Sequence, residues 1–210
     1  MRGSIQFVAT REAAPSLLPL LRSHQQGLIL TALLEQPDLE FSAADLAKRL
    51  DISYPSIHRE LARAEQTGIA KSRRIGNVRL FSANRESPYF HGLAEVLIRA
   101  FGPPEVLARE LSAIDGVEGA AIFGSWAARF TGVDGPRPVN DIDVLVLGAP
   151  DRQAVEDAAS RASRLLGRRV DVTFRGADWL ERGSGPFHAT LLSRPWMRIL
   201  PRAQEPAQSE

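Results

Sequence analysis

The residues best suited to chemistry are three aspartates in apolar surroundings. Asp141 and Asp143 open the run DIDVLVLG, and Asp171 lies inside RRVDVTF. Residues two apart on a strand share a side. Asp141 and Asp143 therefore share a face, while Ile142, Val144 and Val146 turn to a core. In the later run Val170, Val172 and Phe174 face one way, and Asp171 and Thr173 the other. Two carboxylates on one face repel each other, and one proton affinity rises unless a cation lies between them. If the two strands are neighbours, Asp171 joins the pair. Three carboxylates can then hold two divalent ions, Mg²⁺ or Mn²⁺, together with phosphate oxygens.

The segment GAAIFGSWAARF supplies a complementary feature. An apolar strand from Ala120 to Phe123 ends at Gly124-Ser125 and turns into a helix. Glycine lets a backbone approach closely, and the first amides of a helix attract phosphate. The Ser125 hydroxyl adds a hydrogen bond. Arg129, one helical turn on, either reaches a phosphate or is a surface residue. Trp126 and Trp179 read as core or edge residues. His24, His91 and His188 are scattered and support no imidazole metal site.

Length and composition limit the setting. The chain has 210 residues, enough for one large domain or two small ones. It has no cysteine, which excludes disulfides, a thiol nucleophile and thiolate metal sites. The longest apolar runs, GLILTALL and VLVLGAP, are far shorter than the ~18 residues of a membrane span. Early polar residues interrupt any signal-peptide pattern, so the expected location is the cytoplasm, away from membrane. The net charge is +1, and of the 26 basic residues only Lys48 and Lys71 are lysines. Gly102-Pro103-Pro104 separates a mostly helical first half from an alternating β and α second half.

In the first half, Leu17 to Leu34 is helical in pattern. Ser42 and Asp45 form an acidic capping box before a short helix carrying Leu46, Ala47 and Leu50. A tight turn at Asp51-Ile52-Ser53 leads to a third helix with Pro55 in its first turn. Ile57, Leu61 and Ala64 face inward there; Ser53, Tyr54, Ser56, His58, Arg59 and Arg63 lie on or beside the outer face. Two strands follow around Ile75-Gly76-Asn77, with Gly and Asn expected at positive φ. That hairpin carries Lys71, Arg73, Arg74 and Arg79 and no acid; between 42 and 84 eight basic residues face four acidic ones. Lysine and arginine neutralise phosphates, and the third helix would reach base edges. Pro88 then opens a helix whose stripe Phe90, Leu93, Ala94, Leu97, Ile98 and Phe101 packs on its own chain or on a second copy, giving a possible homodimer.

The stretch SAADLAKRLDISYPSIHRELARAEQTGI with its basic hairpin resembles the winged-helix domains of bacterial MarR- and ArsR-type regulators, with Asp51 where glycine is frequent. The resemblance implies binding to double-stranded DNA through the residues just named and Asn77. The set of apolar strand, Gly-Ser, Asp-x-Asp and a later strand Asp resembles the nucleotidyltransferase superfamily of DNA polymerase beta, in its minimal bacterial form. It implies that Gly124, Ser125 and Arg129 bind an NTP. Asp141, Asp143 and Asp171 would be the catalytic and metal-holding carboxylates, with Asp171 activating the acceptor hydroxyl. Fifteen residues separate Ser125 from Asp141, more than is usual in the minimal enzymes. The expected fold is α+β: a winged helix-turn-helix over 15–86, a connecting helix over 87–102, a transferase-like domain with a small mixed sheet over 103–202, and a disordered tail over 203–210.

Two functional readings stay open. In one, the chain binds DNA and transfers an NMP to an unknown acceptor (protein, tRNA or small molecule), as in toxin–antitoxin or defence modules. In the other, it is a transcription regulator whose inactive transferase-like domain senses nucleotide or binds a partner. A purely structural adaptor would leave all three carboxylates idle.

Overall fold

A computed structural model describes residues 21–133 and 139–201. The expected tail, the first residues of the Leu-rich stretch and the centre of the GVDGPRP loop lie outside the described residues. The protein is mixed α+β with two small sheets.

The first half contains α1 (His24–Leu34), β1 (Phe41–Ser42), α2 (Ala43–Leu50), α3 (Tyr54–Gln66), β2 (Ala70–Ile75), β3 (Val78–Ala83) and α4 (Phe90–Phe101). Local chemistry sets these boundaries. Ser23 caps α1 by accepting a hydrogen bond from the Gln26 amide at 3.1 Å. The Ser42 hydroxyl accepts from the Asp45 amide, and the Asp45 carboxylate accepts from the Ser42 amide. Asp51 ends α2 in the left-handed region at φ 52°, which a short polar side chain tolerates. Ile57, Leu61 and Ala64 of α3 are buried. β2 and β3 pair around Gly76-Asn77, but only Gly76 takes a positive φ. Asn77 does not, so a glycine in the first central position meets the needs of the turn. β1 pairs on the far side of β3, giving the order β1-β3-β2.

Helix α4 begins at Phe90, two residues after Pro88. Its stripe is taken up by its own chain. Phe90, Ala94, Leu97 and Phe101 are buried in a core shared with α1, and the Phe101 ring occupies the space a side chain at Gly27 would need. A second copy is therefore not needed to cover this face.

The second half contains α5 (Pro103–Ser112), β4 (Val117–Phe123), α6 (Gly124–Phe130), β5 (Asp141–Gly148), α7 (Arg152–Leu166), β6 (Arg169–Arg175), α8 (Trp179–Arg182), α9 (Pro186–Leu192) and β7 (Met197–Leu200). Its sheet runs β6-β5-β4-β7, with β5 and β6 parallel and the other pairs antiparallel. A parallel pair needs a long crossover, and α7 provides it. Ile142, Val144 and Val146 bury one face of β5 with α5 and α7. Leu145 and Leu147 bury the other face with Leu180 and Leu191 from α8 and α9. Among the described residues no helix is long and apolar enough to cross a membrane.

The halves are pressed together rather than strung on a linker. Gly102 alone separates α4 from α5, and a side chain there would strike the Ile98 carbonyl. Ile98 and Leu165 touch the cores of both halves. Arg49 of α2 donates to the Leu165 carbonyl at 3.0 Å and to the Leu166 carbonyl, and Gln36 donates to the latter at 3.1 Å. These are the last carbonyls of α7, left over by any helix and favourable to a cation. Gly167 ends α7 in the left-handed region, where a side chain would meet the Arg49 guanidinium. One residue on, Arg168 forms an ion pair with Glu35 at 3.2 Å, with side chains only 9% and 6% exposed. The Trp126 indole donates to the same Glu35 carboxylate at 3.0 Å. Burial pulls the Arg168 proton affinity down, and the Glu35 charge opposes that pull.

Removing one member of a buried pair strands the other charge, at a cost of about 3–5 kcal/mol. Urea unfolding of Glu35→Ala should show a loss of that order. The double variant Glu35→Gln with Arg168→Met should lose much less, because neither charge is left. A Glu35→Ala loss under ~1 kcal/mol would contradict a buried, mutually dependent pair.

Candidate functional site

The acidic site is built where three chain segments meet. In the parallel register of β5 and β6, Asp141 lies beside Arg169 and Asp143 beside Asp171. In the antiparallel register of β4 and β5, Phe123 lies beside Asp143. The strand order thus brings Asp141, Asp143 and Asp171 to one face of adjacent strands. All three side chains are partly exposed, above the small core formed by Ala121, Leu145, Leu147, Leu180 and Leu191. Phe123, Trp179 and Phe187 pack around that core, and Phe187 stacks on Trp179 at 5.4 Å between ring centroids.

Gly124 is tied to this site by geometry. It has φ +73°, and a Cβ at this position would run into the Asp143 carboxylate. A side chain at this position would have to push the Asp143 carboxylate aside. Ser125 follows and is exposed. Arg129 lies elsewhere on α6. It lines a cavity of about 620 Å³ between the halves, together with Trp126, Phe130, Arg168, Glu35 and Phe90. It also contributes a like charge beside Arg168. The α6 residues named in the sequence thus divide between the acidic face and the cavity. Trp126 is a core residue, and His188 sits edge-on against Trp179 at 4.8 Å, with its Nε2 donating to the Leu180 carbonyl at 3.1 Å.

The electrostatics of the acidic face are strained. The Asp143 carboxyl is held above the usual carboxylate range. Partial burial is the main cause, followed by the charges of Asp141 and Asp171, with Arg169 pulling the other way. Arg169 lies on Asp171 at 2.6 Å and 3.8 Å from Asp141. Among the described residues no group of three or more acidic or imidazole side chains is closed around a single point. The donor set is nevertheless all carboxylate oxygen, with mutual repulsion that a divalent cation relieves. Carboxylate oxygen is the donor class that Mg²⁺ and Mn²⁺ take.

No protein-family model matches this chain, and no curated protein is significantly similar to it. The fold and the acidic face therefore carry the functional argument.

The second surface lies on α3 and the β2–β3 hairpin. Ser53, Tyr54, His58, Arg59, Arg63, Lys71, Arg73, Arg74 and Asn77 are exposed, and Ser56 and Arg79 are partly so. Tyr54 stacks over His58 at 6.1 Å, and Arg59 donates to Ser56 at 3.2 Å. The cationic surface is smaller than the residue count implies. Arg73 is clamped by both oxygens of Glu40, at 2.6 and 2.5 Å, and Arg79 is paired with Glu65. Arg63 is paired with Glu60 at 2.5 Å. Among the described residues Arg59, Lys71 and Arg74 are in no ion pair. The hairpin itself has no acid; Glu40 of a loop and Glu65 of α3 reach its arginines only in the folded chain. The partners of Arg169, Glu35 and Arg49 are likewise set by folded contacts that sequence spacing does not reveal.

The raised Asp143 proton affinity fixes a sign. The folded state binds this proton more tightly than the unfolded chain, so its contribution to stability falls as pH rises past about 3.9. Asp143→Asn removes that penalty. The variant should resist urea better than wild type at pH 7, with the gap closing as pH falls towards 4. A variant less stable than wild type at pH 7 would refute the charge penalty. Gly124→Ala should lose about 1–3 kcal/mol from backbone strain alone. Urea unfolding checks this too, and an unchanged midpoint would mean that the junction can relax.

Proposed function

We propose that this chain is a DNA-binding protein with a metal-dependent nucleotidyltransferase site, joining a winged helix-turn-helix to a compact domain of the polymerase-beta type. The observation that carries the reading is the register of β5 and β6, in which Asp171 stands beside Asp143, with Gly124 held against the same carboxylate. Three carboxylates, a strand-to-helix Gly-Ser and a parallel neighbour strand are the parts that the resemblance requires.

In this reading Gly124 and Ser125 receive the triphosphate, and the narrow β4–α6 junction brings it close to Asp143. Arg129 in the neighbouring cavity is left with a weaker claim on the nucleotide than Ser125. Asp141, Asp143 and Asp171 hold the ions. When bound, these supply activation of the attacking oxygen and charge neutralisation of the leaving group. Asp171 accepts the proton of the acceptor hydroxyl. That oxygen then bonds to the α-phosphorus, the bond to the β-phosphate oxygen breaks, and pyrophosphate leaves. The acceptor is a hydroxyl-bearing protein, tRNA or small molecule. In the first half, α3 enters the major groove of double-stranded DNA and the hairpin rests on phosphates. Lys71 and Arg74 give the main phosphate contacts, because Arg73 and Arg79 are already paired.

The buried contact between the halves favours a second reading of the same parts. Arg168 ties Glu35 of the first half to the strand that carries Asp171. A nucleotide bound at the acidic face can then change DNA affinity, and DNA must change nucleotide affinity by the same factor. Transfer of label from an α-labelled NTP separates the two readings: labelled acceptor means transferase, and binding without label means sensor.

The direct test is thermal unfolding with each NTP, with and without Mg²⁺, on wild type and Asp141→Asn. Ligand at about 100 times its dissociation constant adds roughly 2.7 kcal/mol, a rise of several degrees. The rise should need Mg²⁺ and vanish in the variant. No rise with any NTP would overturn the nucleotide site. For DNA, Lys71→Ala with Arg74→Ala should weaken binding to any duplex and flatten the salt slope by about 2. Arg73→Ala should do less, and the reverse ranking would overturn the assignment of phosphate contacts.

A further inference from the structure

We infer that Arg169 is a built-in counter-ion of the carboxylate cluster, which a divalent cation must displace to bind, so that Arg169 sets the metal affinity of the site. The inference rests on the nucleotidyltransferase reading and adds a regulating residue that it does not contain. Arg169 is the register partner of Asp141 and lies two residues before Asp171, so its side chain rises on the acidic face. Its guanidinium is 2.6 Å from one Asp171 oxygen and 3.8 Å from one Asp141 oxygen. It therefore sits against two of the three donors that a metal would use.

Two features make this a competition rather than a fixed salt bridge. The Arg169 side chain is 72% exposed, so it can swing into solvent without leaving a buried hole. A single guanidinium also cannot satisfy the cluster, because Asp143 still feels the like charges of Asp141 and Asp171. A doubly charged ion held by these carboxylates would answer that repulsion better. The backbone at this point is pinned. Arg168 turns to the opposite side and is buried on Glu35, and the Val170 amide donates to the Ser163 hydroxyl at 3.0 Å. Arg169 is thereby kept within reach of the acids, able to leave them and return. Once displaced, it remains a nearby cation for an incoming phosphate.

Exposed ion pairs contribute about 0.2–1 kcal/mol each, so losing both contacts should raise metal affinity roughly two- to thirtyfold. The test is titration of the full chain with Mn²⁺ alone, reading free Mn²⁺ by electron paramagnetic resonance. It uses wild type, Arg169→Gln, Arg169→Lys and Asp141→Asn. Arg169→Gln should bind Mn²⁺ about two- to thirtyfold more tightly than wild type. Arg169→Lys, which keeps the charge, should stay close to wild type, and Asp141→Asn should bind more weakly. In a thermal scan Mn²⁺ should raise the midpoint of Arg169→Gln more than that of wild type. If wild type and Arg169→Gln bind equally, or Arg169→Gln binds more weakly, the counter-ion role is overturned and the metal site stands. If neither binds Mn²⁺ at millimolar levels, the metal site itself is overturned, and this inference with it.

Discussion

The end of α7 is the point on which the two halves depend. A helix C-terminus leaves carbonyls without internal partners. Here Arg49 and Gln36 of the first half supply them, and Gly167 clears the space for the Arg49 guanidinium. The chain then passes through Arg168, buried on Glu35 and Trp126, into β6. One short stretch therefore ends a helix, fixes the contact between halves and starts the strand that carries Asp171. A burial of this kind is strongly conditional. Glu35 and Arg168 are each acceptable only while the other is present.

The acidic face shows the opposite regime. Its charges are partly exposed and mutually repulsive, and the like-charged neighbours raise the proton affinity of Asp143. Such crowding of like charges is unfavourable. It is offset by the apolar burial on both faces of β5, where Ile142, Val144 and Val146 pack on one side and Leu145 and Leu147 on the other. Burial of β5 on both faces and its pairing with β6 fix the register in which Asp171 stands beside Asp143. Arg169 moderates the repulsion without abolishing it.

The basic surface illustrates how ion pairs redistribute a charge count. The hairpin carries its cations at the expected positions, yet Glu40 and Glu65 neutralise two of them. On this surface the cations outside ion pairs are Lys71 and Arg74 of the hairpin and Arg59 of α3, close to the exposed Ser53, Tyr54 and His58.

Periodicity alone determined much of this protein. Strand alternation set the shared face of Asp141 and Asp143 and the inward face of Ile142, Val144 and Val146. Helical spacing set the buried side of α3, and cap chemistry at Ser42 with Asp45 set the start of α2. These are local properties, governed by backbone geometry over a few residues. The sequence could state the meeting of Asp171 with Asp143 only as a condition, because strand neighbours are chosen by the packing of α7 and not by the strand itself. The positive φ assigned to Asn77 failed because one glycine in the right place was enough for the turn. Tertiary structure alone decided that Arg129 lines the cavity, that Arg73 and Arg79 are neutralised and that α4 buries its stripe in its own chain. It also decided that Arg168 and Arg169, adjacent in sequence and identical in type, do opposite things. Arg168, just before β6, enters a buried contact with Glu35, and Arg169, the first residue of the strand, lies on the solvated acidic face.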